Sequence, residues 1–272
     1  MTQNILMTGA NGGVGGFLRP LLLEKYGRII LSDRDQMTNL EDGETFRQAE
    51  LSNPAEVDAI CEGVDAIIHL GGQPNEADWD TINTSNIQGC LNLFEAARKA
   101  GVSRVIFASS NHAVGMYPRN RLINENARVR PDSRYGLSKV FGEALAAMYA
   151  DKHGMRTLSI RIGNVDLKPI DLRRLSIWIH PEDLFQLVSI GLDHPDLHNE
   201  IVYGVSDNAR GFWDNETAFR LGYVPKHRGE DHAAYALDAQ KSVPPDELGD
   251  QIHGGTFGSA EFSGDMARTL RR

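Results

Sequence analysis

The chain of 272 residues is 41% hydrophobic and 24% charged, which is typical of a folded protein with one large domain or a domain with a small lobe. Its formal net charge of −9 argues against a protein that binds nucleic-acid phosphates, so we expect no nucleic-acid partner. No apolar run approaches the roughly 20 residues that span a bilayer, so we expect no membrane partner either.

The first residues enter a strand-like segment directly, without the basic region and long apolar stretch of a secretory signal. This predicts a cytoplasmic protein. The two cysteines, Cys61 and Cys90, each stand alone in a helical pattern. Isolated cysteines of this kind predict buried free thiols rather than a disulfide or a zinc site, and we expect no bound metal.

Short apolar runs alternate with helical patterns through the first 163 residues, which is the rhythm of βαβ units. The predicted strands are Ile5–Thr8, Arg28–Ser32, Ala66–Leu70, Arg104–Ser109 and Thr157–Ile162. The predicted helices are Gly15–Tyr26, Pro54–Glu62, Asp80–Ala100 and Tyr135–His153. The pattern predicts an α/β fold of the Rossmann type, a doubly wound parallel sheet with helices on both faces.

The pattern becomes irregular after Gly163, where prolines mark turns. A helix is predicted near Glu182–Leu192, a strand near Ile201–Gly204, and a polar tail after Phe262. We expect residues 164–272 to form a small substrate-binding lobe within the same compact unit as a core of residues 1–163. Ligands of open parallel sheets bind beyond the carboxyl ends of the strands, so the loops that follow strands should line the site.

A glycine-rich turn follows the first predicted strand and opens a helix. Gly9, Gly12 and Gly15 form G-x-x-G-x-x-G, which permits a tight turn and presents helix N–H groups to a pyrophosphate. Asp33 ends the second strand, 18 residues beyond Gly15. Its carboxylate can bind ribose hydroxyls and would repel the 2′-phosphate of NADP, so the predicted cofactor is NAD. Arg34 could instead hold a phosphate, but we favour a solvated surface charge.

Tyr135-Gly-Leu-Ser-Lys139 places a phenol and an ammonium on one face of a helix, where Lys139 favours the deprotonated form of Tyr135. Alone, this short pattern is typical of any amphipathic helix. Downstream of the glycine turn and of Ser110, it predicts a nicotinamide-dependent redox enzyme in which Tyr135 is the general base.

These residues resemble the short-chain dehydrogenase/reductase superfamily, in its extended, epimerase-like branch, over nearly the whole chain. The resemblance implies that Ser110, Tyr135 and Lys139 form the catalytic set and that Asn86 has a structural or relay role. It places an acidic residue, here Glu50, on the adenine side. The implied contacts with NAD are Gly9, Asn11, Gly12, Gly13, Val14, Gly15, Asp33, Arg34, Glu50, Leu51, Leu70, Gly71, Gly72, Asn86, Tyr135, Lys139 and Ile162.

Three further motifs are similar to those of uronate dehydrogenases: Ser109-Ser-Asn-His112, Trp213-Asp-Asn215 and Gly254-Gly-Thr-Phe257. The similarity implies oxidation of the anomeric carbon of glucuronate or galacturonate with NAD, which gives an aldarolactone. It also implies a homo-oligomer and an Arg173 that binds the sugar carboxylate, whose geometry a guanidinium matches. The implied substrate contacts are Gln73, Ser110, Asn111, His112, Tyr135, Asn164 and Arg173.

Two positions depart from the uronate dehydrogenase pattern, because Pro74 and Asn164 stand where that family has serines. The hydroxyl contacts are therefore altered, and another aldose or a sugar phosphate, held by Arg173 and Arg174, stays open as a substrate. A nucleotide-sugar epimerase or dehydratase is a further alternative, which the short region after Gly163 disfavours. A redox-sensing binding module would not need the Tyr135 and Lys139 pair.

Overall fold

The structure, a computed structural model, describes residues 3–271, and this part of the chain contains nine strands and eleven α-helices. The strands are β1 (Ile5–Thr8), β2 (Ile29–Asp33), β3 (Glu44–Gln48), β4 (Ala66–His69), β5 (Arg104–Ser110), β6 (Arg156–Ile162), β7 (Asn164–Val165), β8 (Trp178–Ile179) and β9 (Asn199–Gly204). The α-helices are α1 (Gly13–Tyr26), α2 (Pro54–Cys61), α3 (Trp79–Ile82), α4 (Gly89–Ala100), α5 (Arg134–His153), α6 (Arg174–Ile177), α7 (Pro181–Asp193), α8 (Glu216–Arg220), α9 (Ala233–Gln240), α10 (Thr256–Ser259) and α11 (Met266–Leu270). A π-helical turn (Asn83–Gln88) joins α3 to α4, and 3-10 turns span Asn111–Val114 and Gly229–His232.

Seven strands form one sheet in the order β3-β2-β1-β4-β5-β6-β9, and β7 pairs with β8 separately. The pairs β1–β2, β1–β4, β2–β3 and β4–β5 are parallel. The order turns back at β1, which is the doubly wound Rossmann arrangement, so the predicted α/β fold is confirmed. Thr8 pairs with Ser32 on one side and with His69 on the other, so the segments after these three strands meet at one edge of the sheet.

The chain divides into two compact units, each built from three segments. The first unit contains the described residues up to Ala108, together with Phe141–Ser159 and Val188–Glu200. The second contains Ser109–Val140, Ile160–Leu187 and the described residues from Ile201 onwards. The predicted division of function, with the cofactor on residues 1–163 and the substrate on 164–272, concerns what each region binds and stays a prediction.

The core of the first unit is apolar and includes both cysteines. Phe94 of α4 is fully buried, and its ring lies 5.4 Å from the Tyr149 ring of α5, centroid to centroid. Burying a side chain of this size stabilises the fold by about 2 kcal/mol. Cys61 and Cys90 are buried thiols that are not joined in a disulfide, as predicted, and burial raises the pKa of the Cys61 thiol to about 12.

The second unit has a core of its own, centred on two stacked aromatic rings. Tyr203 and Trp213 lie parallel, with centroids 4.9 Å apart and an interplanar angle of 5°. Asn215 binds the backbone of Tyr203 twice, accepting from its N–H at 2.9 Å and donating to its carbonyl at 2.7 Å. The motif Trp213-Asp-Asn215 therefore stabilises this unit.

Most predicted elements agree with the structure to within two residues at each end. Three differences stand out. The predicted helix Asp80–Ala100 contains the π-helical turn, and β3 was not predicted. The predicted polar tail contains α11. This helix is capped by Asp265, whose carboxylate accepts from the Arg268 N–H at 2.9 Å. Across residues 3–271, no helix has the length and apolar character needed to cross a membrane.

Candidate active site

The turn between β1 and α1 leaves backbone N–H groups at the start of a helix without a side-chain cap, since Gly12 precedes α1. Gly9 has a φ of 70°, and a Cβ there would lie 2.7 Å from the Gly71 nitrogen, so two loops approach backbone to backbone. A Cβ on Gly15 would lie 2.7 Å from the Ala10 carbonyl oxygen. The turn fits a pyrophosphate, which helix N-termini bind through N–H groups and the helix dipole.

Asp33 ends β2 beside this turn. Its carboxylate accepts hydrogen bonds from the backbone N–H groups of Asn11, at 3.0 Å, and Asp35, at 3.4 Å. Ribose hydroxyls suit such an acceptor, whereas a 2′-phosphate would be repelled. The Arg34 side chain is 71% exposed and pairs with Asp35 at 3.3 Å, so Arg34 is a solvated surface charge.

The loop after β4 is fixed by side chains from two other elements. Thr8 Oγ1 lies 2.8 Å from Nδ1 of His69 and accepts a hydrogen bond from the Gly71 N–H at 3.2 Å. Asn86, in the π-helical turn, accepts from the backbone N–H of Gln73 at 2.7 Å and donates to its carbonyl at 3.1 Å. Asn86 thus makes contacts of the structural kind, one of the two roles that the resemblance implies. It holds the loop after β4 beside the glycine turn.

Two more of the predicted cofactor residues follow β3. Leu51 packs against Gly71, where a Cβ would lie 2.7 Å from the Leu51 Cδ1 atom. Glu50 is exposed, and its carboxylate accepts from the Ser52 N–H at 3.3 Å. The first unit holds most of the predicted NAD contacts, namely Gly9, Asn11, Gly12, Gly13, Val14, Gly15, Asp33, Arg34, Glu50, Leu51, Leu70, Gly71, Gly72 and Asn86, and the second holds Tyr135, Lys139 and Ile162.

The three predicted catalytic residues lie in the second unit. Ser110 ends β5, and its Oγ accepts from the His112 N–H at 3.2 Å, which caps the following 3-10 turn. Tyr135 and Lys139 are buried one turn apart on α5, with the ammonium 5.3 Å from the centre of the phenol ring. The spacing therefore places both on one face, as predicted. The His112 ring stands edge-on to Tyr135, with centroids 5.8 Å apart, so the turn and the helix are in contact.

Two residues to which the sequence assigned no role complete the surroundings of His112. Asp132 lies 20 residues further along the chain, and its Oδ2 is 2.7 Å from Nδ1 of His112. Phe257, from the motif Gly254-Gly-Thr-Phe257, stacks on the imidazole, with centroids 4.0 Å apart and an angle of 22°. No local periodicity links these positions, so only the tertiary structure brings them together.

Arg173 is held beside the 3-10 turn Asn111–Val114 by the backbone carbonyl of His253 and by the side-chain amide of Asn111. Its Nε and Nη2 donate to the carbonyl of His253 at 3.1 and 2.9 Å. The neighbouring groups orient the Asn111 amide so that its oxygen accepts from Arg173 Nη2 at 3.3 Å and its nitrogen donates to the Ile162 carbonyl at 3.1 Å. Gly255 adopts a φ of 62°, and a Cβ there would lie 2.6 Å from Arg173 Nε. Two of the predicted substrate residues, Asn111 and Arg173, therefore meet.

The surroundings of Arg173 favour an anionic ligand. Burial, together with the neighbouring cations of Arg174 and Arg119, lowers the pKa of Arg173 to about 9, which leaves it charged at neutral pH. Within residues 3–271 no carboxylate forms an ion pair with Arg173, whereas Arg174 pairs with Asp171 at 2.5 Å. A partly buried cation is costly until an anion compensates it, so a carboxylate fits this position.

The departures at Pro74 and Asn164 lie in different units. Pro74 is exposed in the loop that Asn86 holds. Asn164 begins β7, one residue beyond the end of β6, and its buried Oδ1 has no hydrogen-bond partner in the described part of the chain. No hydrogen bond joins the Asn164 side chain to the other predicted substrate residues among residues 3–271, so its role stays a prediction.

Comparison with known proteins identifies the family. The profile of the NAD dependent epimerase/dehydratase family matches residues 5–166. The chain belongs to this family. Its relatives there include the uronate dehydrogenase of Pseudomonas putida, which is 44% identical over 95% of this chain and 96% of the relative. The predicted resemblance to the extended branch and to uronate dehydrogenases is thus confirmed.

Two solved structures of the family are similar to this chain throughout. The glucuronic acid dehydrogenase of Chromohalobacter salexigens is 39% identical, with a TM-score of 0.91 over 95% of this chain and 97% of that one. A mutant uronate dehydrogenase of Agrobacterium tumefaciens, solved in complex with NAD, is 36% identical, with a TM-score of 0.90 over 94% and 97% of the two chains.

Proposed function

We propose that this protein oxidises the anomeric carbon of a hexuronic acid, glucuronate or galacturonate, with NAD and releases an aldarolactone. Similarity to uronate dehydrogenases along nearly the whole chain supports the reaction and the cofactor. The observation that carries the substrate class is the position of Arg173. It is a partly buried guanidinium, joined through Asn111 to the 3-10 turn that Ser110 caps.

Arg173 and Asn111 bind the sugar carboxylate and an adjacent hydroxyl in this proposal. A guanidinium matches a carboxylate through two parallel N–H···O contacts, and an amide can both donate to and accept from a sugar. Binding at the carboxylate end orients the ring, so that C1 lies near the catalytic groups. Such orientation raises the rate of hydride transfer, although Arg173 and Asn111 take no part in the chemical step itself.

The oxidation removes a proton from the C1 hydroxyl and a hydride from C1. When bound, NAD supplies the hydride acceptor. Tyr135, as the phenolate, takes the hydroxyl proton, and Ser110 donates a hydrogen bond to the same oxygen. Lys139, on the same helical face, favours the phenolate by its charge. The C1–O bond gains double-bond character as the hydride leaves, which gives the lactone of the ring form.

The glycine turn and Asp33 fit NAD by their chemistry. The uncapped start of α1 suits the pyrophosphate, and the Asp33 carboxylate suits two ribose hydroxyls. The exposed Arg34 already pairs with Asp35, which disfavours a role in holding a 2′-phosphate. We therefore propose NAD rather than NADP as the cofactor. A cytoplasmic location and a homo-oligomeric state stay predictions.

A sugar phosphate is the main alternative, because two adjacent arginines could bind a phosphate. The ion pair between Arg174 and Asp171 disfavours a phosphate ligand. Arg174 is already neutralised by Asp171, so of the two arginines Arg173 is the one without a carboxylate partner among the described residues. Purified protein is tested with glucuronate, galacturonate, glucose and glucose 6-phosphate, each with NAD and with NADP, by NADH or NADPH absorbance. We expect kcat/KM to be highest for a uronate with NAD. Higher kcat/KM with glucose 6-phosphate or with NADP contradicts the corresponding part of the proposal, and no reduction with any sugar contradicts all of it.

A further inference from the structure

We infer that Asp132 is a positioning residue, which holds His112 with its proton on Nδ1 and so presents Nε2 as a hydrogen-bond acceptor for a sugar hydroxyl. The inference rests on the proposed function for the identity of the ligand. It assigns a role to a buried aspartate that forms no ion pair with Arg173 in the described part of the chain, although its charge acts on that guanidinium.

The carboxylate of Asp132 determines which nitrogen of His112 carries the proton. The Asp132 side chain is fully buried, and its Oδ2 lies 2.7 Å from Nδ1 of His112. Its Oδ1 accepts from the Ser133 hydroxyl at 2.7 Å, and Ser133 Oγ accepts from the Gly136 N–H at 2.9 Å. A carboxylate can only accept hydrogen bonds, so Nδ1 is the donor, and the neutral ring leaves a lone pair on Nε2.

The orientation of the His112 ring is fixed by four further contacts, two with aromatic rings and two through the backbone. Phe257 stacks on one face at 4.0 Å, Tyr135 lies edge-on at 5.8 Å, and the backbone is tied at both ends of the residue. The His112 N–H donates to Ser110 Oγ at 3.2 Å, and its carbonyl accepts from the Asp132 N–H at 3.3 Å. The imidazole therefore has little freedom to turn over and exchange its two nitrogens.

Nε2 is the polar atom of His112 that remains for a ligand. The side chain is 11% exposed, and no hydrogen bond in the described part of the chain uses Nε2. Ser110 and Tyr135 serve the C1 oxygen in the proposed reaction, and Arg173 serves the carboxylate. A neutral acceptor on the ring beside Tyr135 suits a sugar hydroxyl, which a protonated or turned-over imidazole would bind differently.

Asp132 also has a packing role, which the test must separate from positioning. A Cβ on Gly115 or Gly254 would collide with its carboxylate, so the side chain fills the space between the turn and the Gly254–Phe257 segment. Asp132→Asn preserves shape but can offer Nδ1 either a donor or an acceptor. Asp171→Asn is the matched control, because Asp171 is also buried in the second unit but binds Arg174 instead of His112.

The first experiment needs no variant of Asp132. The ring nitrogens of the nine histidines are observed by long-range ¹H–¹⁵N NMR of the labelled protein, and His112 is assigned as the signal lost in His112→Gln. We expect a protonated Nδ1 and an unprotonated Nε2 in the neutral ring. A neutral His112 with its proton on Nε2 overturns the inference, and this result does not depend on which sugar is the substrate.

The second experiment is a double-mutant cycle on kcat/KM for the sugar that the substrate panel selects. We expect His112→Gln and Asp132→Asn each to lower kcat/KM by about tenfold, the effect of one misaligned hydrogen bond. In the His112→Gln background, Asp132→Asn should have no further effect, while Asp171→Asn should have the same effect in both backgrounds. Equal losses for Asp132→Asn with and without His112 would show that Asp132 acts independently of His112, through packing or through its charge near Arg173, and would overturn the inference.

Discussion

In the proposed function, Arg173 carries the charge that distinguishes a uronate from a neutral sugar. We expect Arg173→Met to raise KM for the uronate by about a hundredfold, because a charge-assisted pair with a carboxylate contributes about 1.5–3 kcal/mol. Activity on the corresponding neutral aldose, which has no carboxylate, should change much less. Steady-state kinetics of the variant on glucuronate and glucose, or galacturonate and galactose, measures this difference.

Arg174→Met is the matched control, because this neighbouring guanidinium is already paired with Asp171. It should alter uronate and aldose kinetics in the same proportion. If Arg174→Met, rather than Arg173→Met, removes the preference for the uronate, the carboxylate is bound by the other arginine.

The site residues that the sequence alone could suggest are those with a local pattern. Tyr135 and Lys139 follow from helical spacing, and Ser110 and Asp33 from their positions at strand ends. Asp132 has no such pattern, because its partner His112 is reached only through the folding of the intervening loop. Phe257 belonged to a motif that resemblance supplied, but stacking on His112 is a contact between distant segments.

The π-helical turn Asn83–Gln88 places Asn86 so that one amide binds both backbone groups of Gln73. We expect Asn86→Ala to lower the free energy of unfolding by about 2 kcal/mol, since each lost hydrogen bond costs about 1 kcal/mol. KM for NAD should rise as well, because the released loop contains predicted cofactor contacts. Chemical denaturation and kinetics with varied NAD measure the two effects.

Gln88→Ala is the control from the same turn, since the Gln88 side chain is exposed and, among residues 3–271, forms its side-chain hydrogen bond with Asn92 alone. It should leave KM for NAD unchanged. If the KM for NAD of the Asn86→Ala variant equals that of the parent chain, the loop does not contribute to NAD binding.

Helix and strand predictions succeeded where burial imposes a period. The central strands are continuous apolar runs, because both faces of a parallel sheet are covered. A single π-helical turn adds one residue and shifts the helical spacing of apolar residues over too short a stretch to be detected in the sequence. Asp80–Ala100 was therefore predicted as a single helix. The missed β3 lies at the sheet edge, where Thr45 is exposed and Phe46 and Arg47 only partly buried, so its apolar signal is weak.

The fold of the first 163 residues was predictable because strands and helices alternate there, and chirality and burial leave few ways to connect them. After Gly163 the short elements α6, α8 and β7 are too brief to carry a period. Their positions depend on specific contacts, such as the two hydrogen bonds of Asn215 with Tyr203. The predicted boundary at Gly163 also cannot show that each compact unit combines three separate segments of the chain.

One such contact involves a buried histidine with consequences for stability. His253 is fully buried, its Nδ1 accepts from the Trp213 indole N–H at 3.2 Å, and its ring stacks on Phe212. Burial, together with the cations of Arg119 and Arg173, lowers the pKa of His253 to about 3. The folded protein therefore keeps this ring neutral, whereas the unfolded chain protonates it below its ordinary pKa of about 6.5.

The stability of the protein should fall as the pH drops from about 6.5 towards 3, because the unfolded state then binds a proton that the folded state does not. At pH 5 the loss from His253 is about 2 kcal/mol, from 1.5 pH units at about 1.36 kcal/mol each. Urea denaturation at pH 7 and pH 5 measures it, and His253→Phe should reduce the difference between the two pH values by that amount. His198→Gln, at an exposed histidine paired with Asp151, should leave the difference nearly unchanged. If His253→Phe retains the full pH dependence of the parent chain, other groups must account for the acid sensitivity.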